Sequence, residues 1–272
     1  MPLGHSRDED GGHDTDQPKR FRGPGRLRGG GPGDGRRGPA RGRGGFRGDR
    51  HPLRRTARGD PHAGEPQLRP APARPYQPNA YLDRLEFGAS GKILAWFTLA
   101  SQGTPATRAA HFSIHPNAYR DTTPWQYTVS PGATATDSFG IGTGYGDGKY
   151  DFTVVGPNRF LRRVTGDATK AGKAAEAGSR YAVEPGTGKL ALYLRMANTG
   201  ASAVTFTVTA NRYRGDGPWT YRVDANSSAE DFFNAVAYSD GWYDVTVTVD
   251  SDATWSRRFT GHLETGTPSV SG

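Results

Sequence analysis

The octapeptide Asp147-Gly148-Lys149-Tyr150-Asp151-Phe152-Thr153-Val154 is written again, 93 residues later, as Asp240-Gly241-Trp242-Tyr243-Asp244-Val245-Thr246-Val247. In the second writing Tyr243, Val245, Val247 and Val249 share one parity, while Asp244, Thr246 and Thr248 take the other. A period of two, carried by aromatic and β-branched residues after a turn signal, specifies a half-buried antiparallel strand. A strand repeated with its turn implies that the unit around it is repeated too. The rest of the chain agrees. Gly91-Lys92-Ile93 answers to Gly188-Lys189-Leu190, and Asn117-Ala118-Tyr119-Arg120 to Asn211-Arg212-Tyr213-Arg214. Pro124-Trp125 answers to Pro218-Trp219, and Arg162-Arg163-Val164-Thr165-Gly166 to Arg257-Arg258-Phe259-Thr260-Gly261. The offset stays within 93 to 97 residues, so the elements keep their order.

Each copy reads as about seven short strands, the count of an immunoglobulin-like sandwich. In the second copy they fall near 181–184, 189–197, 203–210, 219–223, 228–237, 242–249 and 254–260. The expected fold is all-β: two tandem Ig-like antiparallel β-sandwich domains at 76–166 and 181–262, joined by a linker at 167–180 and followed by a tail at 263–272. A disordered Arg/Gly/Pro-rich tail at 1–75 precedes them. The Asp-Gly-x-Tyr entry resembles a tyrosine corner, in which the hydroxyl ties its strand back to an upstream backbone.

Charge divides the chain at the same boundary. Residues 1–75 hold 17 Lys and Arg against 9 Asp and Glu, and the remainder holds 18 of each. The basic tail lacks periodicity and enough apolar surface to offset chain entropy. Its Arg-Gly runs around Phe21 and Phe46 suit RNA phosphates and base stacking, which makes RNA binding the alternative reading. The same composition arises when GC-rich DNA is read out of frame, so nucleic acid is not the expected partner.

Cysteine is absent, which excludes thiol nucleophiles, thiolate metal sites and disulfides. The longest apolar run, from Ile93 to Ala100, is far below the roughly 20 residues of a spanning helix. No apolar segment follows the N-terminal charges, so the chain as written carries no secretory signal and would remain cytoplasmic.

Catalytic, metal and cofactor motifs are not found. His111 and His115 are four apart on a strand, roughly 13 Å at about 3.3 Å per residue, too far to share one metal. Gly140-Ile141-Gly142-Thr143-Gly144-Tyr145-Gly146 lacks the helix and lysine of a phosphate loop. Asp151 and Asp244 read as members of an exposed strand face. Trp125, Tyr127, Trp219 and Tyr221 recur in both copies and read as packing. Trp242 has outward parity and Lys149 as its counterpart, which makes it a candidate contact for sugar or lipid. Arg162, Arg163, Arg257 and Arg258 are candidate contacts for anionic headgroups.

The ending Trp255-Ser256-Arg257-Arg258-Phe259-Thr260-Gly261-His262-Leu263-Glu264-Thr265-Gly266-Thr267-Pro268 resembles the C-terminus of bacterial secreted phosphocholine-preferring phospholipase C. Tyr76-Gln77-Pro78-Asn79-Ala80 and Gly156-Pro157-Asn158-Arg159-Phe160 carry the same resemblance. It implies two copies of a small β domain behind a catalytic domain that has no counterpart here, so no catalytic residue carries over. By implication the parent is secreted or periplasmic and cleaves phosphatidylcholine or sphingomyelin. This chain is then a non-catalytic accessory region whose partners are the catalytic domain and a phospholipid surface.

Overall fold

A computed structural model describes residues 69–271; the expectations placed on residues 1–68, RNA binding included, lie outside these. After a short strand β1 (Pro70–Ala71), copy 1 comprises β2 (Pro78–Phe87), β3 (Ile93–Ser101), β4 (Ala110–Pro116), β5 (Trp125–Val129), β6 (Thr134–Gly140), β7 (Lys149–Val155) and β8 (Leu161–Asp167). Copy 2 comprises β9 (Ala175–Glu184), β10 (Lys189–Asn198), β11 (Val204–Arg212), β12 (Trp219–Val223), β13 (Ser227–Phe233), β14 (Trp242–Val249) and β15 (Asp252–His262). A last strand, β16 (Ser269–Val270), pairs antiparallel with β1. All strand pairing is antiparallel, as the alternating pattern requires.

Each copy is a sandwich with three strands on one side and four on the other. The three-stranded sheets run β2-β3-β6 and β13-β10-β9. The four-stranded halves do not remain separate. They join edge to edge through β8 and β15 into one sheet ordered β12-β11-β14-β15-β8-β7-β4-β5. In that joint Arg163 lies opposite Arg258, Arg257 opposite Val164 and Arg162 opposite Phe259. Since Arg163 and Arg258 are repeat equivalents, a pseudo-twofold axis passes between them, normal to the sheet.

Two hydrophobic clusters fill the two sandwiches. Phe97 meets Phe139 and Phe152 edge-on in copy 1, and those two are tilted against each other, with ring centroids 5.4 to 5.7 Å apart. Leu192, Leu194, Phe206, Val208, Val247 and Trp255 form the counterpart in copy 2. The inward residues are those that the strand parity marks. Edge-to-face rings and interdigitated aliphatics are the favoured arrangement in such a core.

Three expectations are corrected. The segment expected as a linker contains the start of β9, because Ala175 and Ala177 are inward residues of the copy 2 core. The segment expected as a tail at 263–272 and the described end of the one expected at 1–75 are held in the fold: β1 pairs with β16, and Leu263 and Glu264 are buried. The tyrosine hydroxyls do not tie back to their own upstream backbone. They are bonded by arginines of the opposite copy.

Candidate functional site

On the inner face of the joint, Arg162 and Arg257 point into the protein because they share parity with Val164 and Phe259. Each is 2% exposed. Arg162, from copy 1, donates to Tyr243 OH at 3.0 Å and Tyr181 OH at 2.7 Å, both in copy 2. Arg257, from copy 2, donates to Tyr150 OH of copy 1 at 3.0 Å. The two crossed bonds brace the joint like a pair of ties. Gly166 and Gly261 admit them, since a Cβ there would stand 2.5 Å from Tyr150 OH and 2.7 Å from Tyr243 OH.

The two guanidinium groups differ in counter-charge. Arg257 forms a paired contact with Glu176, at 2.6 and 2.8 Å. Asn79 occupies the equivalent strand position beside Arg162 and is joined to it through Ser179. Arg162 is therefore a buried cation held by hydroxyls and by the Leu161 and Thr260 carbonyls. Burial alone would lower its pKa, but Tyr181 and Tyr243 outweigh this and hold it above its ordinary value. Burial also pushes the Tyr181 phenol well above its usual range. The two terminal nitrogens of Arg162 are bonded, while its buried Nε has no partner among the described residues, so the compensation that a buried charge needs is incomplete.

On the outer face, Arg163 and Arg258 each clamp the aspartate of the repeated octapeptide. Arg163 reaches Asp151 at 3.0 and 2.7 Å, and Arg258 reaches Asp244 at 2.9 and 2.6 Å. Asn117 and Asn211 complete the two sets by donating to the same carboxylates. Burial would raise both carboxyls, but the arginine and asparagine contacts hold each below the usual range. The planar fork of arginine suits such paired binding.

Trp242 is corrected from the outward exposure that its parity implies. It is 6% exposed, because its indole N–H donates to Val270 O of β16 and its ring lies against Tyr213 and His262. Thus Arg163 and Arg258 reach solvent, with side chains 49% and 43% exposed, whereas Arg162, Arg257 and Trp242 do not.

Sequence reasoning missed the cluster beneath Trp242. His262 Nδ1 lies 3.0 Å from Glu264 Oε1, and its Nε2 lies 3.1 Å from Ser269 Oγ. These spacings are those of a nucleophile, base and acid. The seryl proton is spent elsewhere, on Asp240 O at 2.8 Å, and the same carbonyl faces Nε2 at 2.9 Å. Glu264 also accepts from Asn158 and from the Arg74 amide. The cluster therefore ties the chain ends to both copies instead of activating a hydroxyl. A pattern of His, Glu and Ser at positions 262, 264 and 269, past the strand expected at 254–260, was the available signal. Among the described residues, no group of three or more His, Asp or Glu is arranged to hold a metal, and no helix is long and apolar enough to cross a membrane.

The family described as bacterial phospholipase C, C-terminal domain, matches residues 70–167 and again residues 175–262. A non-hemolytic phospholipase C of Burkholderia pseudomallei is 35% identical over 149 residues, 54% of this chain and 20% of the relative. A hemolytic phospholipase C of Pseudomonas aeruginosa is 35% identical over 127 residues, covering 46% and 17%. A non-hemolytic phospholipase C of the same organism is 30% identical over 202 residues, covering 73% and 27%. The chain thus spans about a sixth to a quarter of the length of these relatives. With both copies matched and the two bounds falling at the ends of the sandwiches, the chain belongs to the family of bacterial phospholipase C C-terminal domains.

Proposed function

We propose that the chain is the non-catalytic accessory region of a secreted bacterial phospholipase C, supporting a catalytic domain that lies in the unmatched part of the relatives. The observation that carries this is the state of the ionisable groups at the joint. Asp151, Asp244 and Glu176 are each committed to an arginine, leaving no carboxylate there poised for proton transfer. Such a joint makes a rigid frame. A cleft of about 850 Å³, bordered by Gln77, Gln102, Tyr181, Val183 and Glu264, is the surface we assign to the catalytic domain. Glu264 on its border accepts from the Arg74 amide, and the buried Gln77 Nε2 has no partner among the described residues.

The outer face of the eight-stranded sheet is the surface we assign to phospholipid. A twofold axis normal to the sheet sends the loop ends of the two copies in opposite directions, so only a face presents both copies to one plane. Arg163 and Arg258 stand at its centre.

The purified chain, mixed with phosphatidylcholine vesicles, is expected to release no phosphocholine above the buffer blank; release that scales with protein concentration would sink the accessory reading. Co-sedimentation with vesicles tests the lipid surface, which fails if replacing both Arg163 and Arg258 by glutamine leaves the bound fraction unchanged.

A further inference from the structure

The two copies differ most at one equivalent place. In copy 2, Trp242 pairs across the strands with His262; in copy 1 the same pair is Lys149 and Asp167. The copy 2 slot is full. Trp242 lies between Tyr213, with ring centroids 6.2 Å apart at 28°, and His262 at 4.7 Å. Arg159 crosses from copy 1 to cover the indole at 5.6 Å, and β16 caps its N–H. In copy 1 the chain turns away after Asp167 into β9, and among the described residues nothing equivalent to β16 covers the slot. Thr254 stands at the position corresponding to Arg159. What remains is an open cleft of about 330 Å³ edged by Tyr119, Lys149, Asp167, Lys170 and Thr254.

The groups around this cleft select a class of ligand. Asp167 is taken up by Thr169 N and Oγ1, at 3.0 and 2.5 Å, and Asp151 by Arg163. Lys149 and Lys170 are exposed, and neither ammonium is in an ion pair with a described carboxylate. Two ammonium groups, set against the one carboxylate, Asp167, that no arginine neutralises and that already draws on both of them, leave a net positive edge that favours an anion. Tyr119, 49% exposed, offers the ring face that Tyr213 offers to the indole. The two tyrosines share an unusual backbone, with φ of 67° and 69°, so both copies hold the ring by the same left-handed turn. For a bulky residue that conformation is costly, and such positions gather at functional sites. The volume suits a small ligand.

We infer that copy 1 carries a binding slot for a small phosphate ester, its phosphate between Lys149 and Lys170 and its organic end on the Tyr119 ring. This goes beyond the accessory role and does not depend on it, since the slot would take a soluble ester equally well.

The full chain is titrated with phenyl phosphate and, separately, inorganic phosphate by calorimetry. Phenyl phosphate is expected to bind about five- to tenfold more tightly, the increment of one aromatic contact. Lys149→Trp writes the copy 2 residue into copy 1 and is expected to abolish this binding, while Lys189→Gln, far from the slot, leaves it unchanged. Should Lys149→Trp fail to fold, Lys170→Gln is expected to weaken both ligands at least several-fold. Tyr119→Asn, which tolerates the left-handed backbone, is expected to remove only the difference between them. Equal affinity for the two ligands, binding that survives Lys149→Trp, or affinities unchanged by Lys170→Gln overturn the proposal. Vesicles containing phosphatidic acid separate the sources: sedimentation lost in the Lys149 or Lys170 variant places the ester on a lipid, and binding of phenyl phosphate alone places it in solution.

Discussion

At Gly261 a single hydrogen atom decides how the two copies hold together. A methyl group there would press on Tyr243 OH, the atom that receives Arg162 from the other copy. Gly261→Ala is expected to lower stability by about 1–3 kcal/mol, the usual cost of forcing a packed group aside. Gly178→Ala is the control, because open space surrounds that position, and it is expected to be neutral or slightly stabilising. Urea midpoints at constant m-value measure both. Glu176→Gln removes the carboxylate that Arg257 faces, and a hydrogen bond to a charged group is worth about 1.5–3 kcal/mol. An unchanged midpoint for Glu176→Gln would mean that Arg257, like Arg162, can be held by neutral groups alone.

The aspartates of the octapeptide govern the acid limb. Asp151 and Asp244 have folded pKa values below their unfolded ones, despite the opposing effect of burial. Their contribution is therefore present above the unfolded value, about 3.9, and is lost as pH falls through the depressed folded value. Stability should decline as the pH drops below about 4, and Asp244→Asn should flatten that decline. A mutant curve parallel to that of the parent would show that the Arg258 clamp does not govern it.

Among the elements, parity was legible and exposure was not. The alternation in β14 put Tyr243, Val245 and Val247 inward, as found, and the repeat gave every major strand of copy 2 its order. The buried arginines were also written there. Arg162 shares parity with Val164, and Arg257 with Phe259, but a charged residue at an inward position reads locally as a strand end. Only the opposite copy supplies Tyr243 and Tyr150, and the edge pairing of β8 with β15 is invisible to any local pattern. Trp242 was misjudged for the related reason that its cover arrives from 28 residues further on. Removing residues 265–272 strips that cover, with both the Val270 acceptor and the partner of β1. The truncated chain is expected to show red-shifted tryptophan emission and faster quenching by acrylamide. Emission identical to that of the full chain would mean that Tyr213 and His262 suffice to shield the indole.

For the molecule as a whole, the continuous sheet makes cooperativity and symmetry one question. Separating the copies would leave β15 a bare edge and Arg257 facing the place of the missing Tyr150. Bare edges recruit other strands. The natural partner of an isolated copy 2 is a second copy 2, since β15 already meets β8 about a twofold axis with equivalent residues opposed. Residues 168–272 are therefore expected to form an isologous dimer, with Arg258 opposite Arg258 and each Arg257 reaching for Tyr243 of the other chain. Closed twofold pairing of this kind buries both edges at once. Light scattering coupled to size exclusion gives the mass, and Tyr243→Phe, which deletes the acceptor, should shift the equilibrium toward monomer. The full chain should unfold in one transition, because the buried Arg162 and Arg257 each take an essential partner from the opposite copy. A monomeric, stably folded 168–272, or two separated transitions in the intact chain, would show that each sandwich stands alone and that the crossed arginines only decorate the joint.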